Sequence, residues 1–150
     1  MESLKRQWRK LLAAAALALS LAMCAAAGQL GGASAVSGAL DGATAETRAA
    51  YIASLGWTVA RSEEQEQVTL PTSFGENYAD YLAIQAECGF DLTAWAGQTV
   101  TRYSYTVTNY PTGESGIRLD LLVCQGQIVG GDVRSADLAG FMHSLAYPEG

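Results

Sequence analysis

Residues 99–145 read TVTRYSYTVTNYPTGESGIRLDLLVCQGQIVGGDVRSADLAGFMHSL, and the parsing of this run decides the fold. Between 98 and 110, Tyr103, Tyr105 and Val107 alternate with Arg102, Ser104 and Thr106. That period of two sends successive side chains to opposite faces of a strand, and Thr, Tyr and Val suit one. Residues 111–116, PTGESG, carry the Pro and Gly of a hairpin loop. Ile117, Leu119, Leu121 and Val123 then alternate inward against Arg118, Asp120 and Leu122 outward. Gln125-Gly126-Gln127 reverses the chain into a third strand over 128–134. Such short reversals force antiparallel pairing, which makes the run a three-stranded meander. Gly130-Gly131 interrupts the last strand. Glycine weakens a strand, so two in succession predict a bulge or a close backbone approach. Ser135 is expected to cap a closing helix, with Leu138, Phe141, Met142 and Leu145 spaced along one seam.

Working outward, residues 45–55 suggest a helix with Thr44 as N-cap, a stripe of Ala49, Tyr51, Ile52 and Leu55, and Gly56 as its stop. Residues 57–70 look extended, with Glu63, Glu64 and Glu66 in the middle. A charged middle suits an edge strand, because like charge discourages further pairing. Spaced glutamates with no histidine or coordinating loop read as a solvated face rather than a metal site. After Pro71, Ser73 and Glu76 match a capping box opening a second helix. Phe74, Tyr78, Tyr81 and Gln85 line one face of it, and Gly89 ends it. A further turn over 90–95 is expected to be capped by Asp91, with Phe90 and Trp95 against the core. The expectation is an α+β domain over 45–146: a three-stranded antiparallel meander plus an edge strand, with helices packed on one face.

Charge is unevenly distributed. Formal net charge is −6. Residues 1–27 carry Lys5, Arg6, Arg9 and Lys10 against Glu2, a net +3, which leaves −9 on the rest of the chain. An acidic body of this kind repels phosphate backbones and excludes nucleic acid as a partner. The basic flank is followed by residues 11–27, which hold no charge. This pattern is a membrane-targeting segment rather than part of the fold. Three fates are open: cleavage after Ala27, retention as an anchor through 11–27, or lipidation at Cys24, where Met23 departs from the usual lipobox. The positive flank places the N-terminus inside and the domain outside the cell membrane, or releases the domain after cleavage. Residues 28–44, rich in Gly, Ala and Ser, read as a flexible spacer.

Three runs carry a resemblance: PTSFGENYADYLAIQAECGFDL (71–92), VTRYSYTVTNYP (100–111) and LLVCQGQIVGGDVRSADLAGFMHSL (121–145). They resemble the bacterial exported family called domain of unknown function 4830. The resemblance covers about residues 46–146, and its most specific part is 128–145. It implies an exported setting and supplies no activity. Cys88 and Cys124 stand where that pattern usually has other residues, which implies that no disulfide is essential.

The chemistry-bearing motifs are sparse. There is no C-x-x-C, H-E-x-x-H, Walker A or G-x-G-x-x-G, so no cofactor or metal is implied. Gly113-Glu114-Ser115-Gly116 only half matches a nucleophile elbow. His143 is the sole histidine and, with Asp132 and Arg134, is the one candidate acid–base set. The plainer role for His143 is on the flank of a short helix. Gly130, Gly131 and Asp132 form the candidate binding corner, with Asp132 tying it down through backbone N–H groups. Two function classes follow. One is an extracytoplasmic, membrane-associated binding or interaction module, using an exposed sheet face or that corner to meet a protein or cell-envelope component. The alternative is a small hydrolase-like enzyme using Asp132 and His143.

Overall fold

A computed structural model describes residues 39–137 and 140–149. The targeting segment expected over 1–27, most of the spacer expected over 28–44, and Leu138 of the expected closing helix lie outside the described residues. Among the described residues no helix is long and apolar enough to cross a membrane.

Helix α1, Ala45–Ser54, starts where its cap chemistry dictates. The Thr44 hydroxyl accepts from the Thr47 N–H, and the Thr47 side chain accepts from the Thr44 N–H. Its end is a Schellman turn. The Gly56 N–H donates to Ala53 O at 3.0 Å and the Trp57 N–H to Ile52 O at 3.3 Å, with Gly56 at φ 92°. Gly56→Ala is expected to cost about 1–2 kcal/mol, the strain of a Cβ in the left-handed region. An unchanged urea midpoint would show that the turn relaxes freely. Ala49, expected in the buried stripe, is exposed, and Arg48 is buried instead.

Five strands form one sheet in the order β1-β2-β3-β4-β5: β1 Val59–Thr69, β2 Thr99–Val107, β3 Ile117–Cys124, β4 Gln127–Ser135 and β5 Met142–His143. Every adjacent pair is antiparallel. The α+β, antiparallel architecture is the one the sequence indicates, but the sheet has one more strand. β5 stands where the closing helix was expected. It pairs His143 with Val133 and Met142 with Arg134. Phe141 and Leu145 pack with one core cluster and Met142 with the other. Alternation therefore outweighs the helical seam, and Gly140 at the start of the run disfavours a helix there.

The two core clusters lie on opposite faces. One contains Ile52 of α1 with Tyr105, Ile117, Leu119, Leu121, Val133 and Leu145. The other contains Tyr81 and Leu92 with Val68, Val100, Leu122, Cys124 and Val129. Tyr81 belongs to α2, Ala79–Glu87, which follows a 3₁₀ turn at Glu76–Tyr78. Instead of sharing one face, the helices take one each. Leu122, read as outward, is buried because the central strands are apolar on both sides and both need cover. The Ser73 capping box does not form. The 3₁₀ turn is flanked by Gly75 with no side-chain cap, since glycine disfavours a helical start there. A second 3₁₀ turn, Leu92–Trp95, is capped as expected by the Asp91 carboxylate, which accepts from the Thr93 N–H at 2.9 Å.

The sheet edges differ. The outer edge of β4 is covered piecewise. Ile128 N–H donates to Leu40 O, Gly42 N–H donates to Gly126 O, and β5 takes the far end. β1 forms the other edge, and its glutamates are engaged in ion pairs: Glu63 with Arg48, Glu66 with Arg102 and Glu64 with Arg118.

Candidate functional site

The hairpin between β3 and β4 sets the register of the polar side chains on these two strands. Cys124 faces Gln127 and Val123 faces Ile128, but Leu122 faces Gly130, so Val129 is the extra residue of a bulge. Beyond it Asp120 faces Asp132, and Arg118 faces Arg134. The glycines adjoin this bulge and also admit a close approach. A Cβ on Gly130 would lie 2.8 Å from Gln85 Oε1 and 2.9 Å from Leu92 Cδ2. Gln85 Oε1 accepts the Gly131 N–H at 2.8 Å and so fastens α2 to β4. Gly130, Gly131 and Asp132 are all buried, so the expected binding corner is an internal packing joint. Asp132 does not hold it through backbone N–H groups, because its carboxylate faces a side-chain cluster.

That cluster lies between the sheet and α2. Asp120 and Asp132 are both fully buried. Arg134 Nε donates to Asp120 Oδ2 at 2.9 Å, and the Tyr81 hydroxyl donates to Asp132 Oδ2 at 3.3 Å. The Oδ1 atoms of both aspartates are buried without a hydrogen bond. Burial, reinforced by the Asp120 carboxylate, pushes Asp132 well above the usual carboxylate range, against the smaller opposing pull of Arg134. Burial also raises the Tyr81 hydroxyl well above its ordinary value, with the charge on Asp132 adding to it.

His143 lies on the other face. Its ring is stacked on Phe141 with centroids 5.6 Å apart, and it neighbours Trp57 and Tyr110. Nε2 is 3.2 Å from the Tyr110 hydroxyl and Nδ1 is 2.7 Å from Ser144 O. His143 pairs with Val133, so its side chain shares the α1 side of the sheet, whereas Asp132, one residue earlier in β4, points to α2. The Asp132–His143 acid–base set is therefore not assembled. A strand period of two separates the residues that a closing helix was expected to bring near. Among the described residues, no group of histidine, cysteine, aspartate and glutamate is placed to hold a metal ion. Cys88 and Cys124 are free thiols in different clusters.

One part of the α2 face is left open. Tyr81 and Leu92 cover the end bearing Val100, Leu122 and Val129. The other end carries Glu64, Thr106, Arg118 and Arg134 on four neighbouring strands. Arg118 pairs with Glu64 and donates from Nη1 to Thr106 Oγ1 at 3.1 Å. The Arg118 and Arg134 side chains keep 22% and 21% of their surface, and Glu64 keeps 76%. Two arginines directly opposite each other would repel. Glu64 draws one guanidinium toward β1 and Asp120 draws the other toward the buried pair. Sequence reading placed Arg118 and Asp120 on an outward face but could not pair them across strands, because that needs the bulge count.

A family model described as Domain of unknown function (DUF4830) matches residues 51–133. The chain belongs to this family. Within the DUF4830 domain, the match runs from Tyr51 in α1 to Val133 in β4 and takes in the aspartate pair and Arg118. It stops short of Arg134 and His143, so most of 128–145, read as the most specific stretch of resemblance, lies beyond it. No curated protein and no solved structure matches the chain.

Proposed function

We propose that this protein is an extracytoplasmic, membrane-associated interaction module whose partner, a protein or cell-envelope component, meets the open end of the α2 face. The observation that carries the reading is the pair Arg118 and Arg134, directly opposite on central strands, partly open and steadied by acidic neighbours. Such a surface presents fixed guanidinium forks beside an exposed carboxylate, which suits recognition of a polar, charge-bearing partner. Elsewhere the domain is strongly acidic, so this end differs in charge from its surroundings. The export half of the reading rests on the basic flank and the uncharged segment 11–27. The enzyme reading loses its support, because Asp132 and His143 lie on opposite faces.

The test uses a photo-crosslinking residue in cells producing the full chain, placed either at Glu64 or at the exposed Ala53 of α1. A discrete adduct is expected from position 64, none from position 53, and loss of the adduct when Arg118→Glu is added. Adducts from both positions, or an adduct indifferent to Arg118→Glu, would move the interface elsewhere. A reporter fused after Gly150 should be active only outside the cytoplasm, and activity inside would defeat the export reading.

A further inference from the structure

The buried aspartates lie beneath the open surface, where Asp120 holds Arg134. Asp120 and Asp132 face each other across β3 and β4, and neither is exposed. Charged or titratable groups reach them from β2, β4 and α2. Arg134 approaches from β4 and Arg102, itself paired with Glu66 of β1, from β2. Tyr81 approaches from α2. Arg118 on β3 is directed to Glu64. Arg134 donates to Asp120, whereas the group that donates to Asp132 is the Tyr81 hydroxyl. A second negative charge on the opposite strand, shielded from bulk solvent, is strongly disfavoured. We propose that Asp120 and Asp132 hold a single proton between them, residing on Asp132, and that the seating of α2 on the sheet depends on it.

The link to α2 is structural. α2 touches β4 through two polar contacts, Tyr81 to Asp132 and Gln85 to the Gly131 N–H, one turn apart on the helix and on successive residues of the strand. Loss of the proton to solvent places a second carboxylate under Tyr81, beside Asp120, in a layer that cannot solvate it. The sign follows from the raised Asp132 value. The stabilisation is fully present below the unfolded carboxylate pKa of about 3.9, and it is lost as pH rises through the folded value. A domain facing the cell exterior would thereby tighten in acid surroundings and loosen α2 in alkaline ones.

The full chain, labelled with carbon-13 at aspartate Cγ, gives a direct readout. One Cγ signal should stay in the acid form at about pH 6, where exposed aspartates are ionised, and it should vanish in Asp132→Asn. If every aspartate signal has shifted to the ionised form by about pH 5, the proposal fails, whether or not any variant folds. Coupling to α2 is read from amide-exchange protection of residues 79–87, corrected for intrinsic rate. Between about pH 5 and pH 8 it should fall about tenfold in wild type and stay level in Asp132→Asn. Parallel curves for the two proteins would overturn the coupling.

Discussion

Gly131→Val is expected to abolish the cooperative folding transition. A Cβ at this position would lie 2.6 Å from the Asp120 backbone oxygen and 2.7 Å from Leu145 Cδ1. The first neighbour is main chain of the central strand β3 and cannot swing away as a side-chain tip can. The second is fully buried, and its own carbonyl accepts from Trp57 Nε1 at 2.7 Å. Relief therefore requires β4 to part from β3 or the 144–145 segment to leave the α1 side, and each breaks part of one core. Overpacking of a well-filled interior costs about 1–3 kcal/mol and more where backbone must move. With the branched valine the cost should exceed about 3 kcal/mol, a large share of a small domain's stability. Gly89→Ala serves as the control. Its Cβ would meet nothing within 4 Å, so only the strain of φ 79° is added. Near-ultraviolet circular dichroism and urea denaturation check both. A Gly131→Val protein with a wild-type midpoint would mean that the β3–β4 approach is soft.

Arg48→Ala should be the next most damaging change, at about 3 kcal/mol. Arg48 is 4% exposed and uses its whole fork. Nε donates to the Tyr105 hydroxyl at 3.1 Å, Nη1 to Gly42 O at 2.9 Å and Nη2 to Glu63 Oε1 at 3.0 Å. The guanidinium also lies over the Tyr103 ring, 3.6 Å from its centre. One residue thus joins α1, the 39–44 lead-in, edge strand β1 and β2. Breaking a buried ion pair from one side costs about 3–5 kcal/mol, and the lower end applies because Glu63 keeps 28% of its side chain in solvent and can rehydrate. Arg48→Lys keeps the charge but cannot reach three acceptors and lie flat on a ring, so it should recover less than half of the loss. If Lys restores full stability, charge alone matters and the fork does not.

The two substitutions divide what can be read in the chain from what cannot. The three meander strands, the 111–116 loop, the Thr44 cap, the Gly56 stop and the Asp91 cap were legible in the sequence. Each is a local event, governed by alternation, by a hydroxyl or carboxylate near free N–H groups, or by a φ that glycine accepts. Gly130-Gly131 was legible as an anomaly, and both physical reasons for it, bulge and close approach, are present. Its role as a binding corner was not legible, because burial depends on α2 and Leu145 arriving from distant parts of the chain.

Residues 141–145 show the limit of periodicity. Phe141, Met142 and Leu145 satisfy a short helical seam and, with His143, strand alternation equally well, and pairing with Val133 and Arg134 of β4 decides in favour of the strand. Composition, charge asymmetry, antiparallel connectivity and family resemblance were determined by the sequence itself. The tertiary structure alone decided that the helices take opposite faces, that Asp132 and His143 are parted by the sheet, and that Asp120 meets Asp132. The last depends on a single inserted residue. Without Val129 in the bulge, Asp120 would face Gly131 and Arg118 would face Val133, because a one-residue slip in register turns every side chain to the other face.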